Sequence, residues 1–468
     1  MQKLSREAFV SALQMFALVA ATIIPTAVAA QSLDGIWRSQ GYGFAFDVHG
    51  DEWNAFEVTS TTCVAGFTAT RSGGPAADRE ATFTIGGRRP IHVRRGGSND
   101  HKVLHFDGAA SDVRIDRLSR MPAVCDRLTA DTPANNFEVF ARTWAEHYIS
   151  FDLKHADWEK IVAAARPKVN AGTSPSTLFE ILAGMIQPFG DAHTSISAPA
   201  INKVFRGFRP DSVRAQRSAL EVTDRAYLKG ALQEFCQGKI QYGHVDDAIG
   251  YLRILSFSGF SASGDFASGL EELETALDRI FSDFSDRALK ALVIDVRVNP
   301  GGSDPFGLAI ASRLATNEYL AYAKVARSHP TDREKWTARD ESRVKPSTRP
   351  GFRGPVVELI GSSTVSAGET FTQALMGRTP HVTRIGEHTQ GVFADVLGRR
   401  LPNGWTFGLP NEVFLTPEGT AFDGPGIPPD IQIPVFTASD LSAGKDPAMA
   451  KALEILASAR RPNRWLIP

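Results

Sequence analysis

The chain has 468 residues, which is too long for one ordinary hydrophobic core and predicts two or three folding units. Hydrophobic residues make up 43% and charged residues 22% of the chain, as is typical of soluble globular proteins. The 51 basic and 52 acidic side chains leave a formal net charge of -1. This balance argues against nucleic acid or an anionic membrane as a partner.

The first thirty residues have the pattern of a signal peptide. Lys3 and Arg6 precede an apolar run at 8–24, and small residues follow, so we expect cleavage after Ala29 or Ala30. The alternative is a membrane anchor, but the run is short for one. No later segment has the unbroken apolar length of a membrane span. We therefore predict an exported, soluble mature protein, either periplasmic or secreted.

Three cysteines are present, and an exported protein can keep disulfides. Cys63 and Cys125 lie near the two ends of one β-rich region and are the favoured pair, which leaves Cys236 unpaired; three buried thiols are the alternative. His101 and His105 have a metal-like spacing but lie in a predicted strand, where four residues span roughly 13 Å. We expect no metal and no cofactor.

Five regions follow the predicted signal peptide at 1–30. Short strands separated by turns predict a β-rich accessory domain, aromatic residues at helical spacing predict a helical subdomain, and alternating strands and helices predict an α/β core with parallel strands. The predicted regions are the β-rich domain at 31–126, the helical subdomain at 133–200, a linker or insert at 201–247, the α/β core at 248–440, and a C-terminal helix and tail at 441–468.

A serine follows one buried strand of the predicted core. The strand at 356–360 leads into a small polar turn, and Ser366 begins the next helix at 367–376. Unpaired N–H groups and the positive end of the helix dipole meet at such a position. They favour the negative charge that develops in acyl transfer. The simpler interpretation is that Ser366 only caps the helix.

A second loop leaves the strand at 291–296 and contains two adjacent glycines. Gly301 and Gly302 allow close approach of the backbone to a bound group, and their N–H groups can form half of an oxyanion hole, with Ala367 supplying the other half. A tight turn without a ligand is the simpler interpretation. A serine nucleophile also needs a base, and spacing alone does not choose between His193 and His388.

Together these stretches resemble the tail-specific (C-terminal-processing) protease family, peptidase family S41. The matching segments are GDAHT at 190–194, DVRVNPGG at 295–302, TVSAGE at 364–369, GEHT at 386–389 and GPGIPPD at 424–430. The resemblance extends from about 137 to 434. It implies a ClpP/crotonase-like α/β core and endopeptidase activity on peptides or protein tails.

Departures from the processing proteases indicate which branch of the family the chain resembles. The family's lysine base has no counterpart, because Val392 occupies its position and no lysine occurs between Ser366 and Lys445. His193 instead matches the histidine of the tricorn-core and retinoid-binding-protein-like branch. In that branch an acidic residue before the final motif orients the histidine, and Asp423 lies there.

Glu369 is a rival for the role of orienting acid, although a first-turn helix acid is the simpler interpretation. The resemblance therefore implies a Ser-His-Asp mechanism carried by Ser366, His193 and Asp423. The 201–247 segment is too short for the PDZ domain that the processing proteases usually carry.

Two other functions remain open. Retinoid-binding relatives use this fold for apolar ligands, so a non-catalytic protein that binds apolar ligands or peptides is the main alternative. Hydrolysis of a non-peptide ester or amide by the same residues is the other. The expected partner is a peptide or unfolded protein, and oligomerisation remains possible.

Overall fold

The computed structural model describes residues 33–73, 80–209 and 217–459. The predicted signal peptide at 1–30 lies outside the described residues, as does the end of the predicted C-terminal tail.

In the described residues, eight antiparallel strands close into a barrel. They are β1 Gly35–Ser39, β2 Phe44–His49, β3 Glu52–Val58, β4 Cys63–Gly73, β5 Ala81–Ile85, β6 Arg89–Arg95, β7 His101–Phe106 and β8 Asp112–Leu118. β3 shows why the sequence forms this barrel, since Trp53 and Ala55 point inward while Asn54 and Phe56 are more exposed, the two-residue period of a strand. Trp37 and Phe83 help fill the interior.

A disulfide joins Cys63 at the start of β4 to Cys125 beyond the barrel. These are the two cysteines favoured on the sequence, and the third, Cys236, is free and buried. Because the bridge closes a loop with a sequence separation of 62, it limits the conformations of the unfolded barrel region.

Three helices and two short strands follow the barrel. They are α1 Pro133–His147, α2 Trp158–Ala165, α3 Pro175–Ile186, β9 Ser195–Ala198 and β10 Lys203–Arg206. Thr132 caps α1 by accepting a hydrogen bond from the N–H of Asn135. The predicted aromatic face of α1 is buried with residues that come much later in the chain, among them Trp405 and Phe407.

The rest of the described chain contains the α/β core. Its elements are α4 Leu220–Tyr227, β11 Gln233–Phe235, β12 Ile240–His244, β13 Ile249–Ile254, α5 Phe266–Asp286, β14 Ala291–Asp295, β15 Val298–Asn299, α6 Asp304–Leu314, β16 Tyr319–Ala326, β17 Asp340–Val344, β18 Val356–Ile360, β19 Ser363–Thr364, α7 Ala367–Met376, β20 Val382–Gly386, β21 Val396–Arg400, β22 Thr406–Pro410, β23 Glu412–Leu415, β24 Ile431–Gln432, α8 Ala438–Ser442 and α9 Pro447–Ala459.

The main sheet has the order β11-β12-β13-β14-β18-β20-β24 in the described residues. From β13 onward the neighbouring strands are parallel. α5 packs on one face through residues such as Leu277, and α9 covers the other through residues such as Met449. Both faces are therefore buried, as parallel sheets require. The predicted α/β fold with a separate β-rich domain is confirmed.

The boundary between the predicted insert and the core lies earlier than residue 248. β11 and β12 pair antiparallel with each other and then with β13, so the sheet begins inside the predicted 201–247 linker. The short β11 carries Gln233 and Glu234 toward solvent, so its sequence lacks the buried apolar run that marks the central strands. An antiparallel edge is common on an otherwise parallel sheet.

Two smaller sheets flank the core. One has the order β10-β9-β22-β21 and joins the helical subdomain to the end of the core, and the other has the order β17-β16-β23. Both carry segments that reach the candidate site. Within the described part of the chain, no helix combines the length and apolar character needed to cross a bilayer.

Candidate active site

Two loops that leave neighbouring strands of the main sheet are joined edge to edge. β14 and β18 are parallel neighbours, and just beyond their carboxyl ends β15 pairs with β19 in parallel. The N–H of Val365 also donates to the carbonyl of Asn299 at 2.9 Å. This pairing holds the glycine loop against the turn that carries Ser366, at the sheet edge where α/β folds place their sites.

Ser366 lies at the N-cap of α7 with a strained backbone. Its φ is 55° and its ψ is -121°, a conformation that costs a non-glycine residue about 1–3 kcal/mol and occurs most often at functional sites. Its N–H group lies 3.1 Å from the carbonyl of Val392 and 3.2 Å from Oε2 of Glu369. Ser366 thus precedes the first turn of a helix, as predicted, and hydrogen bonds to Val392 and Glu369 hold its backbone in place.

Gly301 lies directly against this turn. A Cβ atom added to Gly301 would stand 2.7 Å from Cβ of Ser366 and 2.8 Å from the carbonyl oxygen of Val365, and its φ is +91°. Only glycine allows both that conformation and that approach. The glycine loop therefore lies at the serine.

The backbone donors differ from those expected. The N–H of Gly301 donates to Oδ1 of Asn299 at 2.8 Å, which argues against Gly301 as an oxyanion donor and corrects that prediction. Among the described residues, the N–H groups of Gly302 and Ala367 have no hydrogen-bond acceptor. Gly302 is also exposed. These two N–H groups remain available as oxyanion donors. Gly302 follows Gly301, whose own N–H is already bonded, and Ala367 begins α7, where the first N–H groups of a helix have no partner within the helix.

His193 lies in the turn after α3. Gly190 adopts a left-handed conformation there, and Asp191 accepts a hydrogen bond from the N–H of His193 at 3.0 Å. The other oxygen of Asp191 accepts from the hydroxyl of Tyr148 at 2.9 Å. These hydrogen bonds hold the GDAHT turn in place and fix the backbone position from which the His193 side chain extends.

His193 and Asp423 line one small cavity, together with Asp191 and Val392. The carbonyl of Val392 accepts the N–H of Ser366, so this cavity adjoins the serine turn. Within the described structure, Nδ1 of His193 and Oδ2 of Asp423 are both buried without a hydrogen-bond partner. The structure therefore brings the predicted histidine and acid to the same cavity, without a direct hydrogen bond between them.

Burial dominates the charge states of both groups. Burial lowers the pKa of His193, although the nearby carboxylates of Asp191 and Asp395 oppose that effect. A lowered pKa keeps the imidazole neutral at neutral pH, as a general base requires. Burial also raises the pKa of Asp423 to about 7, because the backbone N–H groups of Phe393 and Ala394 compensate only partly.

Glu369 serves the backbone. Its carboxylate accepts the N–H of Gly391 at 2.6 Å and that of Val392 at 2.8 Å, in addition to that of Ser366. It is fully buried, and burial raises its pKa to about 7. Because both oxygens accept hydrogen bonds from backbone N–H groups, Glu369 holds the serine turn to the 391–392 segment. This structural role argues against Glu369 as the acid that orients the histidine.

His388 lies apart from the cavity. Its ring is exposed, and its Nδ1 lies 3.1 Å from the carbonyl of Pro425. The cavity that Val392 lines contains His193 and not His388, which favours His193 as the imidazole near the serine turn.

The sequence analysis missed a buried ionic cluster next to His193. Lys324 on β16 is 2% exposed and contacts Asp395 at 2.5 Å and Glu412 at 3.3 Å, while the hydroxyl of Tyr42 in the barrel donates to Glu412 at 2.5 Å. The two carboxylates raise the pKa of Lys324 above its ordinary value despite its burial, so it stays charged. One charged residue inside the apolar strand YLAYAKVA was the signal available, since buried lysines are rare unless paired.

Comparisons with known proteins concern the part of the chain that carries Ser366 and Asp423. Residues 248–433 match the model of peptidase family S41. This part of the chain therefore resembles that family. A carboxy-terminal-processing protease of Bartonella bacilliformis is 25% identical to the chain over 189 residues, which are 40% of the chain and 39% of that protein. The chain therefore spans about two fifths of the length of this curated relative.

Two solved structures resemble the chain over most of their own length. A candidate peptidase from Parabacteroides merdae is 26% identical with a TM-score of 0.58, covering 70% of this chain and 97% of its own. Mature CPAF complexed with lactacystin is 14% identical with a TM-score of 0.52, covering 70% and 98%, and this second likeness concerns the fold alone. The resemblance to peptidase family S41 that the motifs predicted is confirmed.

We predict that Glu369→Gln destabilises the protein by roughly 1–3 kcal/mol, because the amide turns an N–H donor toward backbone N–H groups and leaves a buried donor unpaired. Urea denaturation of the full chain measures this change in the free energy of unfolding. Glu341→Gln is the control, since Glu341 is 48% exposed and pairs with Arg343, and it is expected to change stability by less than about 1 kcal/mol. Equal effects of the two changes would contradict the bracing role of Glu369.

Proposed function

We propose that this chain is a serine peptidase that cleaves peptides or protein tails through an acyl-enzyme, with Ser366 as nucleophile and His193 as general base. The observation that carries the proposal is the Ser366 turn, which combines a strained helix N-cap, a glycine loop against Cβ and an adjoining cavity lined by His193. A serine that only capped a helix would not require this backbone strain.

In the proposed reaction, Oγ of Ser366 attacks the substrate carbonyl carbon while His193 accepts the hydroxyl proton. The N–H groups of Gly302 and Ala367 bind the oxygen that becomes negative. The tetrahedral intermediate then collapses, the scissile C–N bond breaks, and His193 returns the proton to the leaving amine. A water molecule, deprotonated by His193, releases the acyl group and restores Ser366.

Asp423 is the proposed orienting acid, because Asp423 and His193 line the same small cavity and, among the described residues, Oδ2 of Asp423 and Nδ1 of His193 are buried without a hydrogen-bond partner. Its ionised form stabilises the imidazolium across that cavity. Asp395 is a second source of negative charge and interacts electrostatically with His193, but its carboxylate is already paired with Lys324. For that reason Asp423 is the better candidate for an acid that responds to the charge of His193.

Peptides or protein tails are the proposed substrate class. The support is the family match together with the name of the Bartonella bacilliformis relative. Export is also proposed from the pattern at 1–30, and the intact mass of the protein recovered outside the cytoplasm measures whether cleavage follows Ala29 or Ala30.

We predict that Ser366→Ala lowers kcat for peptide hydrolysis by on the order of 10⁴-fold or more, because the acyl-enzyme cannot form. Casein, an unfolded peptide and a simple ester are assayed side by side to identify the substrate class. Ser362→Ala is the control from the same turn and is expected to retain turnover.

Labelling by a fluorophosphonate tests the same assignment directly. The wild type is expected to react at Ser366, and His193→Ala is expected to lose that reaction with its fold intact by circular dichroism. Turnover that survives in Ser366→Ala would overturn the assignment. A folded protein that neither reacts nor turns over any of the substrates would support the ligand-binding alternative.

We predict that the acid limb of kcat/KM lies near pH 7 in the wild type. His193 is neutral above its lowered pKa, whereas Asp423 ionises only as pH rises through about 7, so the limb reports the higher of the two. In Asp423→Asn the limb should move below about 6.5, the ordinary histidine value, with a lower plateau. An acid limb that stays near pH 7 in Asp423→Asn would exclude Asp423 as its source.

A further inference from the structure

A second cavity lies where the barrel meets the rest of the protein. It has a volume of about 330 Å³ and is lined by the turn that carries Gly41 and Gly43, by the end of α1 at His147, and by Arg327 just beyond β16. Residues on three separate parts of the chain thus form its walls. The cavity has no part in the proposed reaction, and the inference drawn from it does not depend on the proposed function.

Arg327 is a buried cation with no ion-pair partner among the residues that the structure describes. Its side chain is 5% exposed, its Nε has no hydrogen-bond partner among the described residues, and its guanidinium lies 5.4 Å from the centre of the Trp336 ring. Burial and the positive charge of Arg333 lower its pKa, and the carboxylates of Asp152 and Glu334 offset this only partly. Burying a guanidinium without acceptors is costly, and an arginine has five N–H donors to satisfy.

His147 presents a second unpartnered group at the same cavity. It is 6% exposed, and its Nε2 has no hydrogen-bond partner in the described part of the chain. A Cβ atom on Gly43 would approach this nitrogen to 2.5 Å, so glycine there is what leaves room beside it. Burial, with Arg399 and Arg327, lowers the pKa of His147 to about 3, so the ring is neutral at neutral pH and able to donate one N–H.

The remaining charges around the cavity favour an anion. Arg38 lies at its exposed rim. Among the described residues that line the cavity, Glu146 is the one acid, and its Oε1 already accepts hydrogen bonds from the N–H and the hydroxyl of Ser60 at 2.8 and 2.5 Å. A buried arginine, an unpartnered imidazole and a partly engaged carboxylate leave donors in excess over acceptors.

We propose that this cavity is a binding site for a compact oxyanion, a carboxylate or a phosphate, held by Arg327 and His147 and bridging the barrel to α1 and β16. The guanidinium is a planar fork of donors that matches two oxygens of such a group. Because the walls come from the barrel, α1 and the end of β16, the bound anion stabilises their contact.

Isothermal titration calorimetry and thermal melting of the full chain test this site at constant ionic strength. Inorganic phosphate and succinate are the two probes, and sodium chloride is the reference. Saturable binding with a raised Tm is expected for at least one probe, and the probe that binds distinguishes a phosphate from a carboxylate. Loss of a charge-assisted pair in Arg327→Gln is expected to weaken binding by roughly ten- to a hundredfold.

Arg343→Gln is the control, since Arg343 is 43% exposed, pairs with Glu318 and does not line this cavity, and it should bind as the wild type does. Arg38→Gln, at the exposed rim, should fold normally and weaken binding by a smaller factor, which keeps the test decisive should Arg327→Gln not fold. Three outcomes would overturn the proposal: absence of saturable binding, an effect that chloride reproduces, or unchanged affinity in both the Arg327 and Arg38 variants.

Discussion

The parallel pairing of β15 with β19 is the contact on which the candidate active site depends. The two short strands extend the main sheet beyond β14 and β18, so that loops separated by some sixty residues in sequence become neighbours. Only then does Gly301 come to lie against Ser366. The side chain of Asn299 strengthens the arrangement, because it accepts the N–H of Gly301 and donates to the carbonyl of Ile254 at 2.9 Å.

Strain at the serine is offset by interactions around it. The conformation of Ser366 costs about 1–3 kcal/mol, and the net gain of each hydrogen bond is typically about 1 kcal/mol. Glu369 provides several such bonds with one carboxylate, linking the start of α7 to the 391–392 segment. The same segment lines the His193 cavity, so one buried acid fixes the serine relative to the surroundings of the histidine.

The barrel belongs to this arrangement and is joined to it by polar contacts. The hydroxyl of Tyr42 donates to Glu412, which is paired with Lys324, and Lys324 holds Asp395 beside His193. Elsewhere the hydroxyl of Ser303 donates to the carbonyl of Gly108 at 2.6 Å. A domain whose sequence shows no catalytic motif is thus connected to the candidate site through a chain of buried charges, and Gly41 and Gly43 on the same turn line the proposed anion site.

The sequence by itself determined the α/β core, the separate β-rich domain and the family, because buried strands, helix starts and glycine turns are local patterns. The motifs also identified Ser366, His193 and Asp423, whose catalytic roles stay predictions. Only the tertiary structure decided that Gly301 gives its N–H to Asn299, that β11 and β12 extend the sheet, and that Lys324 and Arg327 are buried. These features depend on which distant groups meet in the fold. Local sequence carries at most a hint of them, such as the single lysine within the apolar strand β16.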